Sequence, residues 1–222
     1  MQNYFHRQIQ LWGEETQHSL QTKTVAIIGS GGLGSSLAFA LGASGIGEIH
    51  MIDFDDVSLH NIHRQIAFKT EDVGKNKALL NARLIEERCP FVKAIAHDCN
   101  FEEWCAKEIT VDLIIDATDN LPTRGAINRH AKAKHTPWVY GSVEAFHGQV
   151  CFFEESSFED AFKITNKTPA GIAAPIVMHI ASLQANLALR YLAGLSVKKD
   201  FLYYLFFNDE GELVTQKFNL PK

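Results

Sequence analysis

Apolar positions along the chain alternate between short β-branched runs and longer segments with helical spacing. The short runs predict strands at 24–29, 47–53, 92–96, 111–117, 136–142 and 149–154. The longer segments predict helices at 33–44, 76–88, 120–134 and 172–193. Two final runs, 201–207 and 212–218, flank the turn sequence Asn208-Asp209-Glu210-Gly211 and predict a hairpin. Strands that alternate with helices predict an α/β fold: a mainly parallel sheet with helices on both faces and an antiparallel C-terminal hairpin.

Composition excludes several classes of protein. A net charge of −5 over 222 residues gives no electrostatic basis for binding nucleic acid or a membrane surface. Segment 25–47 is uncharged and long enough to span a bilayer, but its seven glycines and four serines favour a strand followed by a packed helix. Residues 1–15 have no apolar core, so we expect no signal peptide and a soluble, cytoplasmic protein.

The four cysteines are Cys89, Cys99, Cys105 and Cys151. None belongs to a Cys-x-x-Cys pair, the usual spacing of a structural zinc site. Without a secretory signal, disulfides are not expected either, so we predict reduced and mostly buried thiols.

A glycine-rich turn, Gly29-Ser30-Gly31-Gly32-Leu33-Gly34, links the first predicted strand to the following helix. Glycines permit a sharp turn and a close backbone approach to a ligand, and a helix N-terminus favours phosphate. Asp53 ends the next strand, 19 residues after Gly34, where an acidic residue accepts hydrogen bonds from ribose hydroxyls. Glycines also serve ordinary turns, but strand, turn and acid together predict a Rossmann-type nucleotide site.

Cations and carboxylates follow this acid. Arg64, Lys75 and Lys77 cluster soon after Asp53, although Lys75 is the one we expect to be merely solvated. Asp119 follows a central strand at the sheet edge where ligands bind, and such a carboxylate could hold Mg²⁺. Asp116 lies inside that strand, which leaves either a second Mg²⁺ contact or a structural role. Cations beside a magnesium carboxylate suit reactions at a triphosphate, and a nicotinamide enzyme needs neither.

These stretches together resemble the MoeB/ThiF/HesA superfamily of E1-like (ubiquitin-activating) adenylyltransferases. The resemblance covers nearly the whole chain, in the right order. The matching stretches are Arg7-Gln8-Ile9, the glycine turn, Asp53-Phe54-Asp55, Asn61-Ile62-His63-Arg64-Gln65, Gly74-Lys75-Asn76-Lys77, Ala117-Thr118-Asp119-Asn120, Gly148-Gln149, Ala170-Gly171-Ile172-Ala173-Ala174-Pro175 and Ser182-Leu183-Gln184-Ala185.

The resemblance implies a mechanism and a role for each matching position. ATP and Mg²⁺ bind the Rossmann site, a diglycine C-terminal carboxylate attacks the α-phosphate, and an acyl-adenylate remains after pyrophosphate leaves. The implied catalytic residues are Arg7, Arg64, Lys77 and Asp119, with Asp119 as the Mg²⁺ ligand and Arg7 acting across the subunit boundary of a homodimer. The implied cofactor-binding residues are Gly29, Gly31, Gly32, Gly34, Asp53, Asp55, Asn61, Arg64, Gln65, Lys77 and Asn120. His63 stands where several relatives have glutamine, and either ATP binding or a local turn contact would explain it.

The chain also departs from the family pattern. Many relatives carry two Cys-x-x-Cys pairs for zinc; this chain has none, so we predict no zinc site. Relatives often carry a cysteine in the loop that corresponds to 163–169, and this loop has none. A thioester or persulfide step is therefore not expected there, although Cys151 is close in sequence. We predict one domain, 1–222: a helical arm at 1–23, a nucleotide-binding core at 24–154, a crossover-like loop at 155–171, and a helix plus hairpin at 172–222.

Two functional hypotheses follow. In the first, the protein is an adenylyltransferase that activates a small ubiquitin-like carrier protein of the ThiS or MoaD type, ending in Gly-Gly, for thiamine or molybdopterin biosynthesis, and passes the acyl-adenylate to a separate sulfur donor. In the second, it is a non-catalytic or partner-dependent E1-like subunit, comparable to the cysteine-less halves of eukaryotic heterodimeric E1 enzymes. Gln10-Leu11-Trp12-Gly13 resembles the N-terminal motif of those subunits. The intact set of Arg64, Lys77 and Asp119 favours the first. More distant alternatives are an NAD-dependent oxidoreductase and a relative that activates a tRNA-linked carboxylate.

Overall fold

The computed structural model describes residues 3–162 and 171–221. In chain order, the helices and strands are α1 His6–Leu20, β1 Thr24–Ile28, α2 Gly32–Gly42, β2 Glu48–Ile52, α3 Lys77–Arg88, β3 Lys93–His97, α4 Phe101–Cys105, β4 Leu113–Asp116, α5 Leu121–Lys134, β5 Trp138–Glu144, β6 His147–Phe153, α6 Phe158–Ala161, α7 Ala174–Leu192, β7 Phe201–Phe207 and β8 Leu213–Asn219. Two single-turn 3₁₀ helices, Leu59–Asn61 and Thr70–Asp72, lie between β2 and α3.

The strands form one eight-stranded sheet in the order β3-β2-β1-β4-β5-β6-β7-β8. The pairs from β3 to β5 are parallel, and those from β5 to β8 are antiparallel. This confirms the predicted fold class. Ile28 of β1 pairs with both Ile52 of β2 and Asp116 of β4, so the carboxyl ends of these three strands are level. The loops that follow them therefore meet at one edge of the sheet.

Each face of the sheet has its own hydrophobic core. Alternate side chains of β1 point to opposite faces, as the period of a strand requires. Ile27 packs with α2, α3 and α7 on one face, and Ile28 packs with α4, α5 and α6 on the other. Segment 25–47 folds as β1, a turn and α2, as the sequence predicted. Within the described ranges, no helix is both long and apolar enough to cross a bilayer.

The sequence missed α4 and α6, because helices of five and four residues are too short to show a hydrophobic period. A capping signal for α4 was available. The Asn100 side chain accepts from the Glu103 N–H, and the Glu103 side chain accepts from the Asn100 N–H, which is a capping box. Helix α6 interrupts the segment that was expected to be a loop at 155–171. The cysteine-free loop at 163–169 lies outside the described residues.

Helix α1 packs at the amino ends of the strands. Gln17 Nε2 donates to the Ser44 carbonyl, just before β2, at 3.1 Å. Phe5 packs against Phe91, just before β3. The helix is broken at Gly13, whose φ of 86° is in the left-handed region. Within the arm predicted at 1–23, residues 6–20 are helical and pack at the end of the sheet opposite the glycine turn.

A buried histidine pair joins β2 to β3. His50 Nδ1 lies 2.8 Å from His97 Nε2, and His50 Nε2 lies 2.8 Å from Glu48 Oε1. On the far side of His97, Lys107 Nζ lies 3.1 Å from Nδ1. Burial, and then the charge of Lys107, lowers the pKa of His97 to about 4.

This depressed pKa predicts acid sensitivity of the fold. Between pH 6.5 and about 4, His97 stays neutral in the folded protein but is protonated in the unfolded chain. The unfolded state therefore binds more protons, and the free energy of unfolding should fall by on the order of 2 kcal/mol as pH drops through this range. Urea titrations from pH 7 to pH 4 measure this fall. The His97→Gln variant should show a shallower pH dependence, and an unchanged slope would contradict the assignment.

Candidate nucleotide and active site

The glycine turn between β1 and α2 depends on two close backbone approaches. Gly29 has a φ of 96°, and a Cβ there would lie 2.6 Å from the Ala117 carbonyl oxygen at the end of β4. A Cβ on Gly34 would lie 2.1 Å from the Gly29 carbonyl oxygen. Neither position has room for a side chain, because the obstructing atoms are backbone. The turn is therefore pressed against the carboxyl end of β4.

The turn presents unsatisfied backbone donors. Gly31 is the N-cap of α2 and makes no side-chain capping bond, and the first turn contains no acidic residue. Among the described residues, no acceptor is found for the N–H groups of Gly31, Gly32, Leu33 and Gly34. Free N–H groups at the positive end of a helix dipole attract an anion. This geometry is that of a phosphate-binding turn.

Asp53 lies beside the turn, at the end of β2. Its Oδ2 accepts from the Ser30 N–H at 2.6 Å, and its Oδ1 accepts from the Asp55 N–H at 2.8 Å. Burial raises the pKa of Asp53, and the two backbone bonds oppose that rise. Each carboxylate oxygen retains further acceptor capacity, which a ribose hydroxyl could use.

Arg64 and Gln65 lie over the turn from the other side. A Cβ on Gly32 would lie 3.5 Å from the Arg64 carbonyl oxygen, and a Cβ on Gly31 would lie 3.3 Å from Gln65 Nε2. Gln65 is buried, and its Oε1 has no partner among the described residues. The sequence motif therefore brings the Arg64 backbone and an unpartnered amide oxygen to the glycine turn.

Asn61 and His63 both contact the Arg64 guanidinium. Arg64 Nη2 donates to Asn61 Oδ1 at 2.9 Å, and Nη1 lies 3.0 Å from His63 Nε2. This contact of His63 is with a neighbouring side chain, so a cap of the local turn and a contact with ATP both stay predictions.

The two neighbouring lysines differ as the sequence suggested. Lys77 is 4% exposed, and its Nζ lies 2.9 Å from Asp55 Oδ2. The Lys75 side chain is 55% exposed and pairs with Asp72. Asn76, which sequence reasoning did not single out, donates to the Asp53 carbonyl oxygen at 3.1 Å and fixes this lysine loop beside β2. Its position as the N-cap of α3 was the available signal.

Asp116 has the structural role, rather than that of a second magnesium contact. It is fully buried, and Arg124 Nε donates to its Oδ2 at 3.1 Å. Its Oδ1 accepts from the Thr118 N–H at 2.9 Å and from Thr118 Oγ1 at 2.6 Å. Burial raises the pKa of Asp116, and Arg124 opposes that rise. Arg124 also donates to the carbonyl oxygens of Thr118 and Gly141, so it holds the loop that follows β4.

Asp119 and Asn120 emerge from that loop. Asp119 is exposed, and none of the described residues pairs with its carboxylate. Asn120 Oδ1 accepts from the Thr123 N–H at 2.9 Å and caps α5. Over the described ranges, no three His, Cys, Asp or Glu side chains are grouped to hold a metal. Mg²⁺ in nucleotide sites is bound by one or two carboxylates together with substrate phosphates and water, and a lone Asp119 fits that pattern.

Arg7 lies far from this site within one chain. It is exposed on α1, where its Nη1 donates to Gln10 Oε1 at 3.3 Å. Helix α1 is at the amino ends of the strands and the glycine turn is at the carboxyl ends. The five residues of β1 separate the two edges by about 16 Å. Within one chain, Arg7 therefore lies at the sheet edge opposite the glycine turn, and its action across a subunit boundary stays a prediction.

The cysteines are poorly suited to nucleophilic chemistry. Cys89, Cys99 and Cys151 are buried, and Cys105 is partly buried. Burial raises the pKa of Cys105 to about 11 and that of Cys151 still further. A nucleophilic cysteine needs a lowered pKa and access to solvent. The concern that Cys151 might replace the missing loop cysteine is therefore not supported by its surroundings.

Comparisons with known proteins point to one family. The profile of the ThiF family matches residues 5–222. One relative is a Thermus thermophilus protein named sulfur carrier protein adenylyltransferase, which is 31% identical over 210 residues. The alignment covers 86% of this chain and 78% of the Thermus thermophilus protein. The adenylyltransferase and sulfurtransferase MOCS3 of Caenorhabditis briggsae is 33% identical over 216 residues, which cover 90% of this chain. This chain spans only 53% of the length of that relative.

The fold also matches solved structures. The crystal structure of Escherichia coli MccB with MccA-N7isoASN superposes with a TM-score of 0.85 and covers all of this chain and 73% of the MccB chain. The sequence identity is 20%, so the likeness concerns the fold.

Proposed function

The chain belongs to the ThiF family, and from that premise we propose that it is an ATP- and Mg²⁺-dependent adenylyltransferase that activates the C-terminal carboxylate of a small ubiquitin-like sulfur-carrier protein. Relatives named as sulfur carrier protein adenylyltransferases support the substrate class. The observation that carries the proposal is the glycine turn with its unsatisfied N–H groups, which the Arg64 backbone contacts at Gly32. Lys77, paired with Asp55, and Asp119, unpaired among the described residues, follow β2 and β4, which both pair with β1, at the same sheet edge. A dinucleotide-binding oxidoreductase needs no such cations.

The chain's own residues supply positioning and charge. The attacking carboxylate is ionised at neutral pH, so the reaction needs little proton transfer. Bound ATP and Mg²⁺ supply the electrophilic α-phosphate and a pyrophosphate leaving group. Arg64 and Lys77 stabilise the charge that develops on the phosphates, and Asp119 holds the metal. Lys77 is paired with Asp55, which holds its ammonium beside the loop that follows β2.

We further propose that the active enzyme is a homodimer to which each subunit contributes Arg7 across the interface. The support is the position of Arg7 on α1, at the sheet edge opposite the glycine turn of its own chain. An exposed arginine at that position can contact a nucleotide only from another copy.

The reaction is proposed to stop at the acyl-adenylate. Loop 163–169 contains no cysteine, and the described thiols are buried or partly buried. A separate sulfur donor would then receive the activated carrier, in thiamine or molybdopterin biosynthesis. The alternative of a non-catalytic subunit gains nothing from the Trp12 motif, because Trp12 Nε1 donates to Gln17 Oε1 within α1 at 3.2 Å, a local packing role.

ATP–pyrophosphate exchange tests the proposal. We expect exchange with a carrier that ends in Gly-Gly and none with the same carrier lacking its last glycine. Arg64→Ala should lower the exchange rate by about 100-fold or more, because a charge facing the α-phosphate is lost. ATP binding without exchange for any carrier would favour the partner-dependent subunit. Tight NADH binding without ATP binding would overturn both.

A further inference from the structure

Asn81 connects the middle of α3 to the glycine turn. Its side chain is fully buried, and its Nδ2 donates to the Ser30 carbonyl oxygen at 3.2 Å, across 51 residues of sequence. Its Oδ1 has no partner among the described residues. The bond satisfies the buried Ser30 carbonyl, but it leaves the amide oxygen of Asn81 without a partner, so the gain in stability is largely offset. Stability alone therefore does not account for an asparagine at this position.

The bond to Ser30 determines the direction of a neighbouring donor. The Ser30 carbonyl and the Gly31 N–H belong to the same trans peptide and point in opposite directions. With the carbonyl held toward α3 by Asn81, the Gly31 N–H points away from α3. That N–H is one of the four at the turn for which the described residues provide no acceptor.

The preceding peptide is also held. The Ser30 N–H donates to Asp53 Oδ2 at 2.6 Å, so Ser30 is fixed at both its N–H and its carbonyl. Without the Asn81 bond, glycine at position 31 would permit the Ser30–Gly31 peptide to rotate, because glycine has no Cβ to restrict it. Rotation would turn the Gly31 N–H away from a phosphate bound at the turn.

We propose that Asn81 is a positioning residue for phosphate recognition: it orients the Ser30–Gly31 peptide so that the Gly31 N–H donates to a nucleotide phosphate. The proposal rests on the proposed nucleotide site, but not on the identity of the carrier. Asn81 itself does not contact the ligand. Its effect should therefore appear only with ligands that carry phosphate.

Isothermal titration calorimetry with ATP and with adenosine tests this prediction. In Asn81→Leu, we expect the Kd for ATP to rise by about 10-fold or more, since one donor to a charged group is lost. The Kd for adenosine should stay within about two-fold, because adenosine carries no phosphate. Asn81→Ala provides a second variant without the donor, should leucine fit poorly.

Asn128 offers a matched control on the other face of the sheet. It is 1% exposed; its Nδ2 donates to Ser157 Oγ and its Oδ1 accepts from the Phe158 N–H. Asn128→Leu should lower the melting temperature and leave the Kd for ATP unchanged. Equal losses of ATP and adenosine binding, or no loss of ATP binding, in the Asn81 variants would overturn the proposal.

The outcome separates this proposal from that of the carrier reaction. ATP binding that depends on Asn81, with no carrier-dependent exchange, would support the positioning role and overturn the proposed reaction. Absence of ATP binding by the unsubstituted protein would overturn both.

Discussion

The Asp119→Asn variant should lose carrier-dependent ATP–pyrophosphate exchange by about 1,000-fold or more, with an unchanged melting temperature. Asparagine keeps the size of the side chain but removes the negative charge that would hold Mg²⁺. Asp119 is exposed, and none of the described residues pairs with it, so the fold does not depend on its charge. Exchange rates measured across a Mg²⁺ titration should show a much weaker response to the metal in the variant.

Asp209 provides the control for this experiment. It is an exposed carboxylate in the hairpin turn between β7 and β8. Asp209→Asn should leave both exchange and the response to Mg²⁺ unchanged. If Asp119→Asn kept its exchange activity, the metal would have to be held elsewhere.

The same variant can test the role of Arg7 in a dimer. Arg7→Ala and Asp119→Asn should each be inactive alone. A mixed dimer contains one intact site. In that site, the Arg7→Ala subunit supplies Asp119 and the Asp119→Asn subunit supplies Arg7. Recovery of exchange on mixing supports action across the interface, and no recovery despite mixed-dimer formation contradicts it.

Arg124→Leu should lower the free energy of unfolding by about 3–5 kcal/mol, the range for breaking one side of a buried ion pair. The substitution leaves the Asp116 carboxylate buried without its cation. It also removes donors to the Thr118 and Gly141 carbonyl oxygens. Urea denaturation monitored by circular dichroism measures the change.

A second arginine on α5 serves as the comparison. Arg129 pairs with Glu159 at the surface, where its side chain is 63% exposed. Arg129→Leu should change the free energy of unfolding by no more than about 1 kcal/mol, because exposed ion pairs contribute little. The double variant Asp116→Asn/Arg124→Leu should be more stable than Arg124→Leu alone, since it removes the unpaired charge. Equal effects at Arg124 and Arg129 would contradict the structural role of the buried pair.

The amino-acid sequence by itself determined the order of the main elements and the position of the glycine turn. These features depend on neighbours in the chain: the apolar runs of the strands, the glycines of 29–34 and the asparagine caps at Asn76 and Asn120. The contrast between Lys75 and Lys77 also followed the sequence reasoning. The short helices α4 and α6 escaped prediction because they have no period to detect.

Only the tertiary structure decided which polar residues support the site and which are available to a ligand. Asp116 and Asp119 are three residues apart, yet one is buried against Arg124 and the other is exposed. Asn81 is 51 residues from the carbonyl that it holds, and no local pattern marks it. Arg7 is at the edge of the sheet opposite the site. Pairings of this kind depend on how α3, α5 and α1 dock on the sheet, which local periodicity and turn chemistry do not specify.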